Sequence, residues 1–311
     1  MTGGHEAPGG DTGGTRWLVT GAQGLLGRDL VLALAGQDVT AAGRADLDLC
    51  APVLPGIMRD WAARAHGRDL VVVNAAAWTD VDAAEADEPG AAAANADGPA
   101  RLAAMCAELD ATLVHVSTDY VFPGTGTRPY EVEDPVGPLG AYGRTKEAGE
   151  RAVRAATAKH YIVRTAWLYG GGGRNFVTTI AGLSGERDTL DVVDDQHGCP
   201  TWAGELAPRL VELAAGPEGR TAPFGTYHCT GGGSASWYEL ARAVFEELGE
   251  DPDRVRPCDS GRFPRPAPRP AYSVLSGRSW TAAGLRPPSH WREQLRSAFR
   301  ANRSSLSSPK R

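Results

Sequence analysis

The stretch Trp17-Leu18-Val19-Thr20-Gly21-Ala22-Gln23-Gly24-Leu25-Leu26-Gly27 decides the fold. Residues 17–20 form a short apolar run of the kind that is buried on both faces in a parallel sheet. Gly21, Gly24 and Gly27 follow, and residues 24–35 carry a helical pattern. Glycines in such a turn allow a sharp reversal, close approach of backbone N–H groups to an anion, and tight packing of helix on strand. The helix start then faces the anion with its positive dipole end. The spacing is G-x-x-G-x-x-G rather than G-x-G-x-x-G. Strand, turn and helix in that order make it a strong dinucleotide signature, where a bare glycine triplet is a weak one.

The same alternation continues outward. Residues 38–42, 70–74, 112–117 and 161–164 read as further strands, and 89–109 and 142–158 as helices. Repeated βα units predict an α/β fold with a doubly wound parallel sheet, and ligands in such sheets lie beyond the carboxyl ends of the strands. Thr20-Gly21, Asn74-Ala75-Ala76 and Ser117-Thr118 all fall at strand ends and should line one crevice. After residue 164 the rhythm breaks. Gly170-Gly171-Gly172-Gly173 marks entry to a smaller lobe, with strand-helix pairs at 190–193/204–215 and 226–229/237–248. The expected division is a dinucleotide-binding domain at 16–170 with returning segments near 188–215, and a mainly substrate-binding lobe at 171–303. Residues 1–15 and 304–311 are expected to be disordered tails.

The chemistry is carried by Ser117-Thr118-Asp119-Tyr120 and Tyr142-Gly143-Arg144-Thr145-Lys146. Four residues apart on a helix, Tyr142 and Lys146 share one face. A free phenol, with a pKa of about 10, is a poor acid-base group near neutrality. An adjacent ammonium is expected to favour the phenolate and bring that value down. A hydroxyl from Ser117 or Thr118 would complete a proton-handling site at a carbonyl. Tyr-x-x-x-Lys also occurs by chance; its place after the glycine signature gives it weight.

The bulk properties bound the function. The 311 residues are 42% apolar and 23% charged, ordinary for a globular chain able to bury a large core. A net charge of −6 gives no basic face for nucleic acid. The five cysteines are scattered without a C-x-x-C pair, and neither they nor the histidines show metal-ligand spacing. No apolar run is long enough for a membrane span, and the glycine-rich start lacks the apolar core of a secretory signal. The expectation is a cytoplasmic protein with no metal site.

The ordered motifs 17–27, VNAAAWTDVDAAE (73–85), STDYVF (117–122), YGRTKEAGE (142–150), RTAWLYG (164–170), NFV (175–177), VVDDQHGCPT (192–201), GTYHCTGGGSASW (225–237) and RPAYSVL (269–275) resemble the extended short-chain dehydrogenase/reductase superfamily. Within it they resemble the dTDP-4-dehydrorhamnose reductase family; the motifs at 192–201 and 269–275 are the narrow ones. The resemblance implies hydride transfer from NADPH, or NADH, to C4 of a 4-keto-6-deoxyhexose carried on dTDP. Tyr142 would give the proton, Lys146 would tune it and hold the nicotinamide ribose, and Thr118 would bond the carbonyl. The cofactor would be bound by Gly21, Gln23, Gly24, Leu25, Leu26, Gly27, Arg44, Asp48, Leu49, Asn74, Ala75, Ala76, Ala77, Ser117, Tyr142 and Lys146. The sugar nucleotide would meet Asp119, Tyr120, Trp167, Asn175, Gln196 and Arg269. Related 4,6-dehydratases place a Glu where this chain has Tyr120, so the base for eliminating water is missing. Some relatives dimerise through Mg²⁺ on C-terminal acidic residues; here only Glu293 stands in a basic tail, so a monomer or homodimer without metal is expected.

Single residues carry rival readings. Arg44, following Gly43 at the end of the second strand, suits a ribose 2′-phosphate and predicts a preference for NADPH, but a solvated loop arginine looks the same. Trp167 is as suited to core packing as to a sugar, and Asn175 to capping a helix. Asp194 and Asp195 suit turn caps, and His197 and His228 structural hydrogen bonds. Two other functions stay open: a non-catalytic dinucleotide-binding regulatory subunit, as in the methionine adenosyltransferase relative, and a reductase or epimerase of another nucleotide sugar.

Overall fold

The computed structural model describes residues 14–51, 55–216 and 222–306. Its centre is a six-stranded parallel sheet. In chain order the strands are β1 (Thr15–Thr20), β2 (Asp38–Ala42), β3 (Asp69–Asn74), β4 (Thr112–Thr118), β5 (His160–Thr165) and, much later, Gly225–His228. They lie in the order β2-β1-β3-β4-β5 with Gly225–His228 outside β5. The order reverses between β1 and β3, so the turn after β1 and the loop after β3 flank the topological switch point.

Adjacent residues of β1 enter different cores. Trp17 and Val19 pack with Leu26, Leu30 and Leu34 of α1 (Leu25–Ala33) and its C-cap. Leu18 faces the other way, to Met58 and Trp61 of α2 (Pro55–Ala63) and to Leu102. Burial on both faces is why the strand reads as an unbroken apolar run. After β3 come α3 (Val81–Ala86), α4 (Glu88–Ala92) and α5 (Gly98–Glu108), the last two joined by a π turn at Ala93–Asp97. The sequence predicts one regular helix here; the structure has a helix with a π turn inside it. The Asn95 carbonyl of that turn lies where a Cβ on Gly149 would meet it at 2.0 Å, so Gly149 lets α6 (Ala141–Ala156) pack on it closely.

Beyond β5 the chain leaves the sheet and returns. β6 (Leu168–Tyr169), α7 (Phe176–Ser184), β7 (Leu190–Val193), β8 (His197–Gly198) and β9 (Thr201–Trp202) lie outside it. The next helix, α8 (Ala203–Ala215), packs on α1, and β10 (Gly225–His228) pairs with β5. The pattern of the sequence placed 226–229 in the smaller lobe; the parallel ladder to β5 makes it an edge strand of the central sheet. Segment 190–193 pairs instead with β12 (Val255–Cys258). β11 (Ala235–Ser236) opens α9 (Trp237–Leu248), and α10 (Arg278–Ala282) and α11 (Trp291–Leu306) end the chain. α7, α9 and α11 share a third core of Val177, Ile180, Val244, Phe245, Leu295 and Phe299. The expected tail boundaries do not hold within the described residues: Thr15 is already in β1, and α11 continues to Leu306, which is 1% exposed. Residues 1–13 and 307–311 lie outside the described residues.

Candidate active site

The turn after β1 requires its glycines. Gly21 has φ +66°, and a Cβ there would sit 2.7 Å from the Ala76 nitrogen. A Cβ on Gly27 would sit 2.1 Å from the Gly21 carbonyl oxygen. Gly24 is the N-cap of α1 with no side-chain cap, and the first turn holds no acidic residue. Its leading N–H groups therefore keep their donors for an anion. Gly24, Leu25 and Leu26 line a cavity of about 460 Å³. Ala75, Ala77, Ser117, Thr118, Tyr142 and Lys146 line the same space, as do Asp119, Tyr120, Trp167 and Asn175. The glycine turn, the end of β4 and the Tyr142/Lys146 face of α6 thus meet where the sheet order reverses.

Lys146 is 2% exposed and donates to the Val116 carbonyl at 2.7 Å. Burial pulls its pKa down to about 8, against a smaller upward pull from Glu150. Burial pushes the Tyr142 phenol up to about 12, eased by the Thr118 hydroxyl and reinforced by the charge of Asp119. The expected acidification of Tyr142 by Lys146 is not met, because the ammonium is committed to the strand carbonyl. A phenol held protonated through the neutral range is nevertheless the form a proton donor needs. Thr118 donates to Asp119 Oδ1 at 3.1 Å and accepts from the Tyr120 amide at 3.2 Å. Asp119, 2% exposed, is raised to about 6 by burial, and its Oδ2 has no partner. Tyr120 packs edge-on to Tyr142 at 5.7 Å, and burial raises its phenol too.

Several nominated residues support the cavity from beneath, and of these Ser117 also lines it. Asn74 accepts from the Thr20 hydroxyl at 2.6 Å and the Ala76 amide at 3.1 Å, and donates to His115 Nδ1 at 3.0 Å. That fixes the loop after β3 against the glycine turn. Ser117 donates to Glu150 Oε1 at 2.6 Å. Leu49 is a core residue, 5% exposed, and Gln23 lies over Gly43, where a Cβ would be 2.7 Å from its Cδ. Asp48 accepts from the Cys50 amide at 2.9 Å, which lowers its pKa first, and meets Arg44 at 3.5 Å. Arg44 itself is 83% exposed.

On the far wall Trp167 has φ +47° and stacks on Trp237 with ring centres 3.4 Å apart. A Cβ on Gly198 would strike its indole at 2.4 Å, so that glycine makes the room. Gln196 accepts from Trp237 Nε1 at 3.2 Å. Asn175 is the N-cap of α7 in a capping box with Thr178 and also donates to the Gly170 and Gly173 carbonyls. Arg269 bonds Asp82 of α3 and the Ala267 carbonyl, and that guanidinium is the main cause of the lowered Asp82 pKa. Sequence reasoning passed over Trp237, Arg174 and Glu150. Glu150 had a signal: it falls four residues after Lys146, continuing the Tyr142 face. Among the described residues no cluster of three or more His, Cys, Asp or Glu is placed to hold a metal, and no helix is long and apolar enough to cross a membrane.

A doubly wound sheet whose glycine turn and Tyr-Lys helix open on one cavity defines the extended short-chain dehydrogenase/reductase class. Within that class the chain belongs to the dTDP-4-dehydrorhamnose reductase family: the family model described as the RmlD substrate binding domain matches residues 15–304. It is 51% identical over 289 residues to the dTDP-4-dehydrorhamnose reductase of Streptomyces griseus, covering 92% of this chain and 93% of that one. To the dTDP-4-keto-6-deoxy-D-glucose reductase of Streptomyces niveus it is 46% identical over 287 residues, covering 91% and 96%. The crystal structure of the Bacillus anthracis dTDP-4-dehydrorhamnose reductase with NADP superposes with a TM-score of 0.85 at 32% identity, covering 93% of this chain and 99% of that chain.

Proposed function

We propose that the chain reduces the C4 ketone of a dTDP-4-keto-6-deoxyhexose with NADPH, converting dTDP-4-dehydro-L-rhamnose or a close deoxysugar analogue to the alcohol. The observation that carries this reading is the convergence of Thr118, Tyr142 and Lys146 on the cavity that the uncapped start of α1 also lines. The α1 N-terminus and glycine turn suit the dinucleotide diphosphate, and Arg44 suits a 2′-phosphate. Bound there, the reduced nicotinamide supplies hydride. The protein supplies the proton: Tyr142, protonated near neutrality, donates it to the oxygen that becomes negative as the ketone is reduced. Thr118 shares that oxygen or steadies the phenol, and the Lys146 ammonium contributes positive charge to the cavity that all three line. Tyr120 offers no carboxylate for an elimination, which favours simple reduction over dehydration. The reading describes a cytoplasmic enzyme acting as monomer or homodimer.

Mixing the protein with NADPH and dTDP-4-dehydro-L-rhamnose should remove the absorbance of the reduced nicotinamide, and NMR of the product should show a new C4 alcohol. No oxidation of NADPH with any member of a panel of dTDP-4-keto sugars would remove the proposal. The likeness to the Streptomyces niveus enzyme favours one second reading, in which the preferred member of that panel is dTDP-4-keto-6-deoxy-D-glucose.

A further inference from the structure

The reaction proposed above brings two diphosphates to one cavity, the cofactor's and the sugar nucleotide's. The uncapped start of α1 provides for one. Most nearby cations are already engaged. Lys146 is buried on the Val116 carbonyl. Arg28 Nε donates to the Gln23 carbonyl at 2.9 Å, and Arg44 meets Asp48. Arg269, the residue expected to take the sugar-nucleotide diphosphate, holds Asp82 and the Ala267 carbonyl.

Arg174 remains. It lines the cavity, it is exposed, and among the described residues it makes no hydrogen bond or ion pair. Its neighbour Asn175 has no donor to spare for an anion, since Nδ2 donates to two carbonyls while Oδ1 accepts from Thr178. The asparagine shapes the corner and the arginine beside it carries the charge. A Cβ on Gly173 would meet nothing within 4 Å, so the residue just before Arg174 is unobstructed.

Resting on the proposed function, we infer that Arg174 holds the diphosphate of the sugar nucleotide and so sets the distance of the keto sugar from Tyr142. A planar guanidinium with all its donors free matches a diphosphate bidentately, and no existing ion pair has to break. The cofactor diphosphate has the same chemistry, and the glycine loop touches α1: a Cβ on Gly172 would lie 3.4 Å from the Leu25 Cα. Two facts favour the substrate. The cofactor already has the α1 amides, and Arg174 is continuous with Asn175, Phe176 and Val177, which line the cavity from outside the central sheet.

Calorimetric titration of wild type, Arg174→Ala and Arg174→Lys with dTDP and, separately, NADPH tests the assignment. Arg174→Ala should weaken dTDP binding about ten- to a hundredfold. Arg174→Lys should recover part of the loss, NADPH affinity should hold within about twofold, and kcat/KM for the keto sugar should fall in step with dTDP affinity. Loss of NADPH affinity with dTDP unchanged would assign Arg174 to the cofactor and overturn the inference. Wild type binding dTDP, with Arg174→Ala equal to it, would overturn this inference alone. Wild type binding NADPH but not dTDP would overturn the proposed function with it.

Discussion

Burial moves Tyr142 and Lys146 in opposite directions, the phenol up to about 12 and the ammonium down to about 8. Both are then protonated at pH 7. As pH rises through about 8 the ammonium is lost first, so kcat/KM for ketone reduction should fall across that range while Tyr142 stays protonated. A profile flat to pH 10 would contradict a role for the ammonium. Tyr142→Phe keeps the ring and removes the proton, so kcat should drop about a hundred- to ten-thousandfold with NADPH affinity nearly intact. Arg44→Ala should reduce the kcat/KM preference for NADPH over NADH about tenfold, one charge-assisted contact being lost; an unchanged ratio would leave Arg44 a solvated loop residue. Thr118, Tyr142 and Lys146 were legible because a strand end and a helical period of four fix their relation locally. Arg174 and Trp237 were not, since what marks them is a contact, or the lack of one, made across the fold.

Helix α6, which carries Tyr142 and Lys146, is held by elements that share no sequence neighbourhood. Its first amide, on Ala141, donates to Glu85 of α3 at 2.7 Å, and the π turn reaches it through the Asn95–Thr145 hydrogen bond at 3.2 Å. Glu150, fully buried, accepts from Arg164 on β5 at 2.8–2.9 Å and from Ser117 on β4. Burial alone would raise its pKa, but Arg164 and Ser117 hold it below the usual range. Because the folded value is depressed, its contribution to stability is present above the unfolded pKa of about 4.3 and is lost as pH falls through the folded one. Glu150→Ala leaves Arg164 buried without its carboxylate and should cost about 3–5 kcal/mol, read as a lower denaturant midpoint. Gly27→Ala should destabilise by about 1–3 kcal/mol and weaken NADPH binding, because the new methyl meets backbone that cannot swing aside. The π turn escaped the sequence reading since one extra residue in a turn barely disturbs a hydrophobic period.

At the scale of the whole molecule the central sheet was legible and its edge was not. Strands β1 to β5 announce themselves by βα alternation, whereas β10 joins only after 59 intervening residues, Ala166–Phe224, part of which starts another core. The segment around Arg269 is fastened to the central domain by its grip on Asp82 of α3. Asp82→Asn should speed exchange of the Ala267 amide, which donates to Asp82, and lower Tm by only a few degrees, as suits a partly exposed pair. The Trp167–Trp237 stack lies against the core shared by α7, α9 and α11, one ring following β5 and the other opening α9. Two indoles so close and parallel share their electronic excitation. The chain therefore carries a built-in optical gauge: an exciton couplet in its circular dichroism whose amplitude should report, without any label, any shift of this wall of the cleft when a guest enters.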